Sequence, residues 1–308
     1  MRLKFSTVTL LGALVLSINS PAQTSKDSTQ SVISKKVEKK YQARAPKTRP
    51  FGTEAFEKSN KTIIRWLGMS GFFINSHGKT IMIDPLLEGY DMPLLIKFPI
   101  LANEVPHLDA VMATHSDNDH YSVPTFRDLA SVTKEYHSTM YVDSLMKNEG
   151  LASFGHGIGD TFSIGDIHVK LTPADHAWQN AYPGTSKRHF NAGDACGFWI
   201  ETPDGNIWAP GDSRLMPEQL NMPTPDVIIL YYSEDSAWHF GLEGSAKLVN
   251  AYPNTPIILG HWGSVDAPDF IPFNGDPKRL AALVINPERI YVLAPGEPFT
   301  LHHLKKSK

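Results

Sequence analysis

Four side chains able to bind a metal ion fall within six residues, in the stretch Ala113-Thr114-His115-Ser116-Asp117-Asn118-Asp119-His120-Tyr121. His115, Asp117, Asp119 and His120 bring two imidazoles and two carboxylates to close quarters. Side chains this near in sequence converge only on a tightly folded loop, and a divalent cation gives such groups a reason to stay together. The alternative for this stretch alone is a solvated acidic loop with two incidental histidines, because short ligand motifs also arise by chance. Residues further along the chain shift the balance.

The apolar run from Ala110 to Ala113 reads as a buried strand leading into the loop. Ser122 and Pro124 predict an N-cap and the first turn of a helix over 123–129. The loop thus sits at the carboxyl end of a strand, where open α/β sheets place their sites. The same arrangement recurs three times downstream. A strand closed by Pro173-Ala174-Asp175 delivers His176, the segment Asn206–Ala209 runs into Asp212, and Pro256–Gly260 delivers His261. Any one of these is an ordinary polar residue by default; four strand ends carrying ligand-type residues point to one assembled site.

Three β segments at 63–67, 71–75 and 80–84, with glycine-containing turns, predict a meander at the start of a domain near Thr62. Asp84, just before a proline, either supports the metal loop or caps a turn. Residues 86–107 are irregular and apolar, with Tyr90, Met92, Leu94, Leu95 and Phe98, and suit a pocket wall or plain packing. A short strand over 139–142 and a helical piece over 143–149 follow. A hairpin spans 160–171, and a second pairs 197–200 with 206–209 around Pro203-Asp204-Gly205. Further on come a strand at 227–231, helices at 244–252 and 276–284, and a last strand at 289–293.

With 308 residues, 41% apolar and 20% charged, the chain fits a globular protein with a full core. A net charge of −3 gives no electrostatic footprint for nucleic acid. The single cysteine, Cys196, excludes an intrachain disulfide framework and a thiolate-cluster zinc site, so any metal is held by nitrogen and oxygen. The amino terminus reads as an export signal over 1–22. Met1–Lys4 is basic, Phe5–Ile18 is apolar but short for a membrane span, and Ser20-Pro21-Ala22 suits a cut after Ala22. Residues 23–61, polar and basic, are expected to form a linker or disordered leader; contact of its positive charge with a membrane surface is the alternative to simple solvation. A cleavable signal without disulfides suggests a periplasmic or secreted protein.

The cluster resembles the His-x-[His/Asp]-x-Asp-His signature of the metallo-β-lactamase fold hydrolases. Gly211-Asp212-Ser213 is similar to the turn that carries their bridging aspartate, and Gly260-His261-Trp262-Gly263 to their last histidine. Trp66-Leu67-Gly68, Gly71-Phe72 and Ile83-Asp84-Pro85 strengthen the likeness, which spans about residues 62 to 300. The branches it resembles contain ascorbate-6-phosphate lactonase and the N-acyl-phosphatidylethanolamine phospholipase D. The resemblance implies an α/β fold, a four-layer αβ/βα sandwich over 62–308, with the site where the two sheets meet. It also implies two divalent ions. One would take His115, Asp117 and His176, the other Asp119, His120 and His261, with Asp212 bridging and a shared hydroxide as nucleophile. Zinc is the first expectation. Asp117 stands where most members have histidine, and a carboxylate suits manganese or iron as well.

The implied activity is hydrolysis of a small-molecule or lipid-like substrate, with Asp119 and His239 as catalytic residues. His239 matches a histidine near the substrate in the phospholipase branch, and this context favours a phosphodiester over a lactone, amide or β-lactam. A metal-binding protein without turnover is the rival from another class. Lys187, Arg188 and His189 suit a phosphate clamp or a solvated run. Arg214 would orient Asp212 or meet an anion. Trp178, Tyr182, Trp238 and Trp262 would line a pocket or pack in the core.

Overall fold

A computed structural model describes residues 40–176, 179 and 190–304. Among these, fourteen strands form two sheets of seven. The first sheet contains β1 (Thr62–Gly68), β2 (Gly71–Ser76), β3 (Lys79–Ile83), β4 (Leu108–Met112), β5 (Thr133–Thr139) and β6 (Ser153–His156). The second contains β7 (Thr161–Ile164), β8 (Ile167–Pro173), β9 (Cys196–Thr202), β10 (Gly205–Ala209), β11 (Val227–Tyr231), β12 (Ile257–Gly260) and β13 (Ile290–Tyr291). A last strand, β14 (Pro298–Thr300), returns to the first sheet and pairs with β1. Each sheet begins as an antiparallel meander and continues as parallel strands, from β3 to β6 in one and from β10 to β13 in the other.

Strict alternation builds the layers. On β3 and β4, Ile81, Ile83, Ala110 and Met112 face the second sheet, where Val169, Leu171, Phe198, Ile200, Ile207 and Ile229 meet them. Their neighbours Met82, Val111 and Ala113 face outward, under α1 (Val123–Asp128) and α2 (Met140–Asn148) through Phe126, Val142 and Met146. In the second sheet Trp208, Ile228, Leu230 and Leu259 are covered by α3 (Gly241–Ala251) and α4 (Pro277–Ala281) through Leu248, Val249 and Leu280. The result is helix, sheet, sheet, helix: the four-layer sandwich, with period-2 patterning deciding which face each residue takes.

Four local expectations change. Residues 139–142 are not a strand, because the Thr139 hydroxyl accepts from the Val142 N–H and caps α2, ending β5 at that point. The third and fourth helices begin at Gly241 and Pro277, the latter capped by the Asp276 carboxylate. Only Ile290–Tyr291 of the expected last strand pairs, since the chain turns at Gly296 to reach β1. The leader expected over 23–61 does not extend over 40–61. Phe56 is buried against Phe73, and the Asn75 amide donates to the carbonyls of Ala55 and Glu57. Residues 40–61 therefore belong with the domain; residues 1–39, with the expected export signal, lie outside the described residues.

Gly197 on β9 fixes how closely the sheet packs beneath the Asp212 turn. A Cβ there would lie 2.6 Å from the carbonyl oxygens of Ala209 and Pro210 and 2.6 Å from Thr172 Oγ1. Gly197→Ala is expected to cost about 1–3 kcal/mol of stability by overpacking. Thermal unfolding measures it, and an unchanged midpoint would contradict the packing described.

Candidate metal centre

The ligand loop is shaped by its own backbone. After β4, Ala113 N–H still bonds to the His137 carbonyl, and Thr114 O accepts from Cys196 N–H of the facing sheet. The N–H groups of His120 and Tyr121 both donate to Asp117 O, at 2.9 and 2.7 Å, which closes the turn. Ser122 then caps α1. Asp84, fully buried at the end of β3 with φ +47°, braces the loop. Its carboxylate accepts from Thr114 N at 2.7 Å and Thr114 Oγ1 at 2.8 Å, and lies 2.9 Å from His120 Nδ1. A carboxylate on Nδ1 leaves His120 Nε2 free to face the centre of the site.

Three residues come from the second sheet. His176 follows β8, Asp212 follows β10 and His261 follows β12, all buried. His176 Nε2 lies 3.0 Å and His115 Nε2 3.3 Å from Asp117 Oδ2. His261 Nε2 lies 3.1 Å and His120 Nε2 3.4 Å from Asp119 Oδ2. Asp212 Oδ2 stands between the groups, 3.1 Å from His120 Nε2, 3.4 Å from His261 Nε2 and 3.0 Å from His239 Nε2. His115, Asp117 and His176 form one triad, and Asp119, His120 and His261 another. Each has ligand atoms within 4.8 Å of one another, and Asp212 forms such groups with His115 and His120 and with His239 and His261.

This donor set fits divalent cations. His115 Nε2 and Asp212 Oδ1 are buried and make no hydrogen bond. Burial, then the neighbouring His120 and His176, holds the His115 imidazole below its ordinary pKa and keeps it neutral, the state in which it ligates. Burial opposes ionisation of Asp212 and Asp119, yet the histidines around each hold both carboxyls well below the usual range. Burial likewise opposes charge on His120, but Asp119, Asp212 and Asp84 raise it well above its ordinary value. The carboxylates thus call for positive charge at their centre, which protons on the imidazoles supply when cations do not.

Sequence reasoning missed several partners. Ser70, in the turn between β1 and β2, donates to Asp119 Oδ2 at 3.1 Å and lies 2.9 Å from His120 Nε2. Asp235 holds His239 Nδ1 at 3.0 Å, and its Oδ2 also accepts from Trp238 N–H. Its i, i+4 spacing to His239 was the one available signal. Although burial disfavours the charged imidazole, Asp212 and Asp235 push His239 up to about 9. Gln179 Oε1 accepts from the Ser116 N–H and hydroxyl. A cleft opens from the cluster, walled by Tyr90, Met92, Trp238, Phe270 and Phe273, with Asp91 and Asn118 on the same lining.

One expected role fails. The Arg214 guanidinium is half exposed and held by both oxygens of Asp175, so it meets neither Asp212 nor the cleft. Of the two roles open to Trp262 it takes core packing, buried and stacked on Trp66 at 6.2 Å. Trp178, Tyr182, Lys187, Arg188 and His189 lie outside the described residues.

The model of the beta-lactamase superfamily domain matches residues 79–262, which include all the clustered residues above except Ser70. The chain belongs to the beta-lactamase superfamily. A UPF0173 metal-dependent hydrolase of Pyrococcus furiosus is 26% identical over 248 residues, covering 77% of this chain and 99% of the relative. Igni18, a metallo hydrolase of Ignicoccus hospitalis, superposes with a TM-score of 0.60 at 20% identity, over 79% of this chain and all of that one. The metallo-beta-lactamase fold protein YhfI of Bacillus subtilis superposes at 0.53 with 12% identity, over 78% of this chain and 99% of that one. The sandwich of this superfamily member is thus the metallo-β-lactamase fold implied by the sequence.

Proposed function

We propose that the protein is a metal-dependent hydrolase that uses water to cleave neutral acyl substrates at a centre holding two divalent cations. One observation carries this reading: two triads of buried imidazole and carboxylate ligands with Asp212 between them. His115, Asp117 and His176 would hold one cation and Asp119, His120 and His261 the other, with Asp212 shared. Nitrogen and oxygen donors suit zinc first, then manganese or iron. When bound, such a pair supplies water of lowered pKa and positive charge for a developing oxyanion.

The chain's own groups do the rest. Ser70 and Asp84 fix Asp119 and His120. His239, held at Nδ1 by Asp235 and with Nε2 3.0 Å from Asp212 Oδ2, would donate from Nε2 to the leaving group as its bond breaks. His239→Gln is therefore expected to lower kcat about 10²–10⁴-fold with metal content unchanged. Full activity in that variant would remove His239 from the chemistry.

The cleft lining supports an ester, lactone or amide with an apolar group. Tyr90 and Phe273 meet edge to face at 5.9 Å, beside Met92, Trp238 and Phe270. Among the described lining residues there is no lysine or arginine, whereas Asp91 adds a further carboxylate. The phosphodiester favoured by the resemblance would bring its own negative charge into this lining. Assay of the metal-loaded protein on an aryl ester, a lactone, a β-lactam and a bis-aryl phosphate tests the reading. Acyl hydrolysis that stops with chelator and returns with metal is expected. Faster phosphodiester cleavage would reverse the substrate class, and no turnover at all with metal bound would favour the non-catalytic alternative.

A further inference from the structure

His261 stands in a backbone conformation that a side chain rarely adopts, with φ +70°. Such a residue stays put only when its surroundings hold it. On one side the β1–β2 turn does so: His261 N–H donates to Met69 O at 2.8 Å, and Ser264 Oγ accepts from Met69 N. The other side is covered by Gln42 and Ala45, in a segment over 40–50 without helix or strand. Its Ala45 N–H donates to Gly263 O at 3.0 Å. The Gln42 side-chain amide donates to Val265 O and to Asn274 Oδ1, each at 2.6 Å. Asn274 in turn donates to the carbonyls of Ala267 and Phe270. Contact is close enough that a Cβ on Gly263 would fall 2.6 Å from Ala45 N.

We infer that residues 42–45 are a positioning strap for the metal centre: Gln42 and Ala45 clamp the 261–265 turn, which carries His261, and the 265–274 loop, which walls the cleft. The inference rests on the proposed role of His261 as a ligand of one cation. It makes the polar segment read as a leader from sequence a working part of the site. A signal cut after Ala22 would leave it intact.

The strap acts on one triad only, and the test uses that asymmetry. In the full chain, Gln42→Ala combined with Ala45→Pro removes both clamps without touching a ligand. Competitive chelator titration should then show one of the two metal-binding steps weakened at least about tenfold, the size expected when support of a ligand is lost, and the other within about twofold. Hydrogen exchange should rise for the amides of 261–265 and not for those of 114–122. Both binding steps unchanged, or both falling together with the unfolding midpoint, would overturn the strap. Should the unmodified chain bind fewer than two ions, the dinuclear reading fails by itself and exchange decides the strap: selective deprotection of 261–265 supports it, and unaltered or uniformly raised exchange overturns it.

Discussion

Asp212→Ala is expected to abolish turnover while leaving the fold in place. Asp212 Oδ2 lies within 3.4 Å of Nε2 of His120, His239 and His261, so one carboxylate balances three imidazoles. Its removal takes away the group shared between the two triads and leaves the histidines facing one another. Losing the charge arrangement that holds a catalytic cation pair costs about 4 kcal/mol of transition-state stabilisation or more, which is about 10³ in rate. The strands that deliver Asp212 are held by Ala209, Ile207 and their neighbours in the inter-sheet core, which the substitution does not reach. Far-ultraviolet dichroism should therefore match the parent protein. A variant retaining the parent rate would contradict the role given to Asp212.

Asp84→Asn is expected to weaken metal binding about 10–100-fold, the range seen when the carboxylate behind a ligating histidine is removed. Asp84 accepts from both Thr114 donors and faces His120 Nδ1, so all its nearest partners call for an acceptor. An amide nitrogen would place a donor against a donor. Asparagine is the fair test because it has nearly the same shape and tolerates the left-handed backbone at this position. Metal affinity measured against a chelator checks it, and an unaltered affinity would show that the carboxylate is only a structural cap.

The fold was legible where local pattern and tertiary demand agree. The alternation of Ile81, Met82 and Ile83 sets the faces of β3, and turns such as Pro203-Asp204-Gly205 set the hairpins. The cluster was legible because four of its members sit in six residues and the others stand just beyond apolar strands. Other features left no such trace. Ser70 acts through one hydroxyl on residues 49 and 50 positions away. Arg214 is two residues from Asp212 in sequence, yet its guanidinium pairs with Asp175 outside the cluster. The strap bonds through one backbone N–H, at Ala45, and one amide side chain, at Gln42, to partners more than two hundred residues away, so its polar composition read as a leader. β14 was hidden by the prolines and glycine around it and is fixed by pairing with a strand more than two hundred residues earlier.

The central claim is that His115, Asp117, Asp119, His120, His176, Asp212 and His261 together hold two divalent cations. Elemental analysis of the full-length protein, purified without added metal and again after equilibration with zinc or manganese followed by gel filtration, tests it most directly. The account predicts two ions per chain after equilibration, falling to one in His176→Ala. A chain that retains fewer than two ions after equilibration would contradict it.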